Sequence, residues 1–222
     1  MWCIPKLTPE YIQHMEDVLD LYEKPYDPLE PVLCFDEKSK ELREDTRKTK
    51  PAKRGKVRRR DYEYKRNGTA NIFLAVEPKG GYRRGEVTKR RTKSDFAKEI
   101  KRLIDPPRYK TAKTIHFVLD NLNTHCEKSF IETFGMEKTR RIFSRIQFHH
   151  TPKHASWLNM AEIEIGVMDR QAIRGRIPTS EKLRTQLFAW QKRRNRQCAA
   201  IDWTFTTTKA RKKFRYSGRK LI

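Results

Sequence analysis

Two short runs of unbroken apolar residues, each ending abruptly in aspartate, limit what this chain can fold into. "VLCFDEKS" carries Val32 to Phe35 into Asp36, and "TIHFVLDNLNTH" carries Ile115 to Leu119 into Asp120. A strand with one wet face alternates apolar and polar residues, whereas a continuously apolar strand must be covered on both faces. Such strands demand helices above and below, so the pattern predicts an α/β fold, a mixed sheet flanked by helices. Strand ends are where ligands gather in open α/β sheets. Asp36 and Asp120 are expected at two such ends, and side by side if their strands are neighbours.

The remaining elements fit that frame. Thr8 and Pro9 open a short amphipathic helix with Ile12, Met15, Leu19 and Tyr22 at helical spacing. It stops before "EKPYDPLEP", whose three prolines in nine residues make a connector. "TANIFLAVEP" reads as a strand that turns at Gly80-Gly81 into a third, "YRRGEVTKR". Thr92 or Ser94 caps a helix with Phe96, Ile100, Leu103 and Ile104 on its buried stripe, ended by Pro106-Pro107. "EKSFIETFG" is a helix with Gly135 as its cap, and "RIQFHHTP" is a last strand. A helix follows from near Ser156 or Asn159, then a long amphipathic one from Thr179 or Ser180 with Leu183, Leu187 and Trp190 inside. Trp157 and Trp190 read as packing residues. With 222 residues, one domain is expected: residues 1–30 as helix and connector, residues 31–222 as the main domain with a helical, basic C-terminal segment.

Charge narrows the partner. Lys plus Arg number 51 against 28 Asp plus Glu, a formal +23 that points to a polyanion, nucleic acid before membrane. The segment from Arg47 to Arg60 holds nine basic residues in fourteen with no apolar period, and reads as a mobile basic loop. Lys53, Arg54, Lys56, Arg58, Arg59 and Arg60 there, with Lys192, Arg193 and Arg194 in the long helix, are the expected DNA phosphate contacts. Such contacts are strongly salt-dependent and position DNA without reading its sequence. No apolar run approaches the ~18 residues of a membrane span, and the first residues lack a signal-peptide pattern, so a cytoplasmic, nucleoid-associated protein is expected. Cys3, Cys34, Cys126 and Cys198 form no C-x-x-C pair and read as reduced thiols. His149, His150 and His154 lack the partners of a zinc site.

Two neighbouring carboxylates repel unless a cation neutralises them, and a hard divalent ion such as Mg²⁺ suits oxygen ligands and phosphate substrates. A third carboxylate allows two ions roughly 3.5–4 Å apart, the arrangement for in-line attack at a phosphodiester. "LNMAEIE" offers Glu162 and Glu164, about 200° apart around a helix, so one faces in and the other out.

"VLCFDEKS", "FVLDNLNTH" and "HHTPKHASWLNMAEIE", in this order, resemble the catalytic core of bacterial insertion-sequence transposases of the mariner superfamily. The resemblance implies a ribonuclease-H-like fold and a DDE triad of Asp36, Asp120 and Glu162 holding two Mg²⁺ ions, with Mn²⁺ as a substitute. The family's third motif, Leu-Asn-Pro-x-Glu, falls on Leu158 to Glu162, with Met160 where many relatives have proline. Glu164 and Asp169 are then expected in surface pairs, and Glu37 beside the site or in solvent. Asn159 is either helix cap or active-site positioner; His125 either orients Asp120 or is structural. The implied activity is metal-dependent cleavage and strand transfer on inverted-repeat ends and target DNA, by a homodimer in the DNA complex. The rival expectations are a truncated, non-catalytic DNA-binding remnant, since relatives carry upstream helix-turn-helix modules, and a host nuclease of the same fold.

Overall fold

The computed structural model describes residues 7–217. Five strands, β1 (Val32–Asp45), β2 (Tyr64–Glu77), β3 (Tyr82–Thr88), β4 (Ile115–Leu119) and β5 (Ile146–His150), form one sheet in the order β3-β2-β1-β4-β5. The β1, β2 and β3 pairings are antiparallel, while β4 lies parallel to both β1 and β5. This is the expected mixed sheet, and both faces are covered. On one face α2 (Lys93–Ile104), α3 (Glu127–Phe134) and α4 (Met136–Phe143) enclose a core around Leu33, Phe35, Phe73, Phe96, Phe117 and Phe130. On the other lie α1 (Pro9–Glu23), α5 (Met160–Gln171), α6 (Ser180–Arg196) and α7 (Thr207–Phe214), over Cys34, Val76, Val118, Ile72 and Leu74. Each fully buried Phe or Leu of this kind contributes roughly 1.5–3 kcal/mol.

Local chemistry explains the boundaries. The Thr8 side chain accepts from the backbone N–H of Tyr11 and caps α1, and Thr92 with Asp95 forms a reciprocal capping box on α2. α1 buries Met15, Val18 and Leu19 against the sheet, and α4 and α7, which the apolar pattern did not announce, bury only Thr139 with Ile142 and Thr207 with Ala210. Edge strand β3 is sealed by α6. Asn195 accepts from Arg83 N and donates to Arg83 O, both at 2.8 Å, and Gln191 accepts from Gly85 N at 2.7 Å. Side-chain amides thus replace a neighbouring strand on an edge that would otherwise offer open hydrogen bonds.

β1 corrects one expectation: it does not stop at Asp36. Its parallel pairing with β4 covers only Val32 to Cys34, but its antiparallel pairing with β2 runs on to Asp45. The two strands leave the sheet as a long hairpin. The basic segment beyond them is not a structureless loop either: Lys50 bridges Arg59 and Lys53 bridges Lys56, around a turn with Gly55 at φ 74°. Asp45 anchors the base of this arm, accepting from Arg60 Nε at 2.9 Å and from Arg176 Nη1 at 2.7 Å. Arg43 and Arg176 lie 4.6 and 4.9 Å from the Tyr64 ring centroid, stacking that further stiffens the base.

Among the described residues no helix is long and apolar enough to cross a membrane. Cys34, Cys126 and Cys198 are free thiols, and burial pushes Cys34 up to about 12, which keeps it inert; Cys3 lies outside the described residues.

Candidate active site

Asp36 and Asp120 lie where β1 and β4 part. Extending the register that pairs Leu33 with Phe117 and Cys34 with Val118 by two residues sets Asp36 opposite Asp120. Side chains alternate along β1, so Asp36 shares with Cys34 the face covered by α5. There α5 begins with Asn159 as its cap, its Oδ1 accepting from Ala161 N at 3.1 Å, which leaves Glu162 exposed in the first turn. Asn159 does more than cap. Its Nδ2 donates to Phe35 O at 2.9 Å, tying the helix that carries Glu162 to the strand that carries Asp36. Of the two roles open in the sequence, the cap is the one this geometry fills. Tyr22 donates to Leu158 O at 2.8 Å, so α1 braces the same corner.

Electrostatics couples the three acids. Asp36 is pushed up to about 7, first by burial, with the charges of Asp120 and Glu162 adding to it, against a hydrogen bond from Glu37 N at 2.7 Å and the nearby His125. His125 is fully buried, with Nδ1 2.6 Å from Asp120 Oδ1 and Nε2 3.2 Å from Glu37 Oε1. Burial by itself would push the imidazole down, but the two carboxylates outweigh it and raise it to about 9. The charged imidazole is thereby favoured, with a carboxylate oxygen facing each ring nitrogen. His150 Nδ1, at the end of β5, lies 3.3 Å from Asp120 O, and burial lowers its pKa.

The donor set fits a hard divalent cation: three carboxylates from separate elements, two of them raising the third. Among the described residues no three His, Cys, Asp or Glu side chains are already gathered as a metal cage.

One expectation about charge is overturned. Glu164 is not in a surface pair: it is 2% exposed, and its Oε1 lies 2.9 Å from Nε of the fully buried Arg83 and 3.2 Å from Nε of Arg194. Arg194, expected on phosphate, is partly buried and faces that carboxylate from α6, while Arg60, also expected on phosphate, pairs with Asp45 and stays exposed. Lys53, Arg54, Lys56, Arg58 and Arg59 are exposed on the arm and Lys192 and Arg193 on α6, while Asp169 pairs with Lys38 at 2.9 Å as expected. Glu37, expected beside the site or in solvent, lies beside Asp36 against His125, and Arg83 is the member of this region that sequence reasoning missed. Alternation along β1 places Glu37 on the inner face, a usable signal; nothing in "YRRGEV" distinguishes Arg83 from Arg84.

A raised carboxylate pKa has a measurable consequence. Between the ordinary pKa of 3.8 and about 7 the folded protein holds a proton at Asp36 that the unfolded chain releases, so this group's contribution falls as pH rises through that window. In chelator, Asp36→Asn should melt closer to wild type at pH 4.5 and above it at pH 8. Parallel melting curves at both pH values would contradict the shift.

Residues 31–184 match the family model described as DDE superfamily endonuclease. Among solved structures, the fold is similar to that of the Mos1 mariner paired end complex with Mn, at a TM-score of 0.56 and 13% identity, covering 90% of this chain and 62% of that one. A pre-cleavage Mos1 transpososome gives 0.55 and 13%, covering 90% and 64%. The mariner Mos1 paired end complex with Mg gives 0.54 and 14%, covering 90% and 64%. At these identities the likeness concerns the fold, and the chain spans less than two-thirds of the length of those proteins. A comparison with curated proteins gave no match.

Proposed function

The chain belongs to the DDE superfamily of endonucleases, and from this we propose that it is the catalytic domain of a transposase, cutting element ends and joining them to target DNA. The observation that supports the reading is Asp36 opposite Asp120 at the point where β1 and β4 part, with the charges of Asp120 and Glu162 both acting on Asp36. Two Mg²⁺ ions, or Mn²⁺ in their place, would be held by these three residues; when bound they supply charge neutralisation at the phosphate and activation of water or a 3′-hydroxyl. Asn159 fixes the helix that presents Glu162, and His125 restrains Asp120. Exposed Glu162 leaves the site open to a large substrate. A DNA complex of two copies acting at the nucleoid completes the proposal.

Purified protein incubated with the element's inverted-repeat ends and a target duplex is expected to nick and join DNA with Mg²⁺ or Mn²⁺ and to stop in chelator. DNA binding without cleavage in either metal would favour the non-catalytic remnant. Cleavage of RNA–DNA hybrids or four-way junctions without joining would favour a nuclease.

The arm has its own expected signature. Replacing Arg54, Lys56 and Arg58 by Ala removes three exposed cations without touching the anchors at Asp45. Affinity should fall nearly equally for all sequences, and the salt dependence of log K should flatten by about 3 units, roughly one per phosphate contact. An unchanged slope in a titration from low to moderate salt would take the arm out of the DNA interface.

A further inference from the structure

Resting on that reading, we propose that Glu37 is a positioning residue that clasps the two aspartate-bearing segments together through His125, and thereby sets the affinity of the site for divalent metal. The need for a clasp follows from the sheet. Backbone pairing between β1 and β4 ends at Cys34 and Val118, two residues short of Asp36 and Asp120. Asp120 stands just past β4, at the start of a polar turn that runs to α3. Pairing with β1 does not fix its distance from Asp36.

Glu37 touches both sides of that gap. Its backbone N–H donates to Asp36 Oδ1 at 2.7 Å. Its side chain points to the opposite face of β1, where Oε1 meets His125 Nε2 at 3.2 Å, and the other ring nitrogen is 2.6 Å from Asp120 Oδ1. The ring is held in place by packing. Its centroid lies 4.4 Å from that of Phe96 and 6.4 Å from that of Phe35, and His125 N donates to Leu122 O to close the turn. Glu37 is almost wholly buried, and the half-exposed Arg91 approaches its second oxygen at 3.8 Å. The result is a chain of contacts, Glu37 to His125 to Asp120, that starts from the residue next to Asp36. Groups behind a metal's ligands orient them, and losing one typically weakens metal binding about 10- to 100-fold.

The test measures metal binding without turnover. Full-length protein without DNA is titrated with Mn²⁺ and free ion is followed by its electron paramagnetic resonance signal, for wild type, Glu37→Ala, Glu37→Gln, Asp36→Asn and Asp120→Asn. Circular dichroism and melting temperature identify the folded variants. Glu37→Ala should weaken Mn²⁺ binding by about 10- to 100-fold. Glu37→Gln, whose amide oxygen can still accept from Nε2, should recover most of that loss. A merely structural Glu37 would lower the melting temperature and leave the affinity of the folded fraction alone. Folded Glu37→Ala and Glu37→Gln proteins that both bind Mn²⁺ within twofold of wild type, while the two Asp→Asn variants bind poorly, would overturn the clasp and keep the metal site. Wild-type binding by Asp36→Asn and Asp120→Asn would overturn the site itself, and the clasp with it.

Discussion

Glu162→Gln should leave the protein folded and able to bind DNA while reducing metal-dependent cleavage by about a thousandfold or more. Glu162 is exposed and forms no ion pair among the described residues, so its replacement costs little stability. The only expected folding cost is the favourable interaction of an acid with the first turn of α5, about 0.3–1 kcal/mol. The chemical cost is far larger. A carboxylate that would hold the cations neutralising charge at a reacting phosphate acts in the transition state, and a thousandfold loss corresponds to about 4 kcal/mol at 1.36 kcal/mol per decade. Single-turnover cleavage of a pre-nicked end, at saturating Mn²⁺, separates this from weakened DNA binding. A variant that cleaves within tenfold of wild type would remove Glu162 from the site.

Two residues along the same helix the expected outcome reverses. Glu164→Ala should destabilise the fold by about 3–5 kcal/mol, because it strands the buried Arg83 guanidinium, whose Nε has Glu164 as its ion partner. Arg83 already has both Nη atoms without hydrogen-bond partners among the described residues, so no alternative acceptor stands ready. For a chain of this size the melting temperature should drop by about 6–20 °C. A paired replacement, Arg83→Met with Glu164→Leu, removes the charge together with its partner and should recover most of the loss, since apolar groups of similar volume often match a buried ion pair. A Glu164→Ala protein melting within about 2 °C of wild type would show that the pair contributes nothing net.

These two glutamates also show how far the sequence can be read. Their separation of about 200° correctly implied that only one faces the interior. Which one depends on Arg83, 81 positions earlier on an edge strand, and apolar periodicity assigns every charge to the surface by default. The same blindness hid Arg194, whose position in a basic cluster suggested phosphate contact although it faces Glu164. The apolar run of β4, the caps at Thr8, Thr92 and Thr179, and Gly135 after α3 were legible because each depends on a few adjacent residues. Asp36 was read as a strand end because the apolar run stops there. The strand itself continues, since β2 remains alongside after β4 has diverged. The placement of Asp36 opposite Asp120 was therefore deduced by a partly mistaken route: the parallel pairing ends there, not the strand.

The continuation of β1 has a metric consequence. From Asp36 to Asp45 the strand climbs nine residues, about 30 Å at roughly 3.3 Å per residue, before the basic tip begins. One turn of B-form duplex is about 34 Å. A duplex lying from the carboxylates to the hairpin tip would therefore be gauged by the protein itself at close to a single helical repeat, and oligonucleotides much shorter than ten base pairs would be too short to touch both ends.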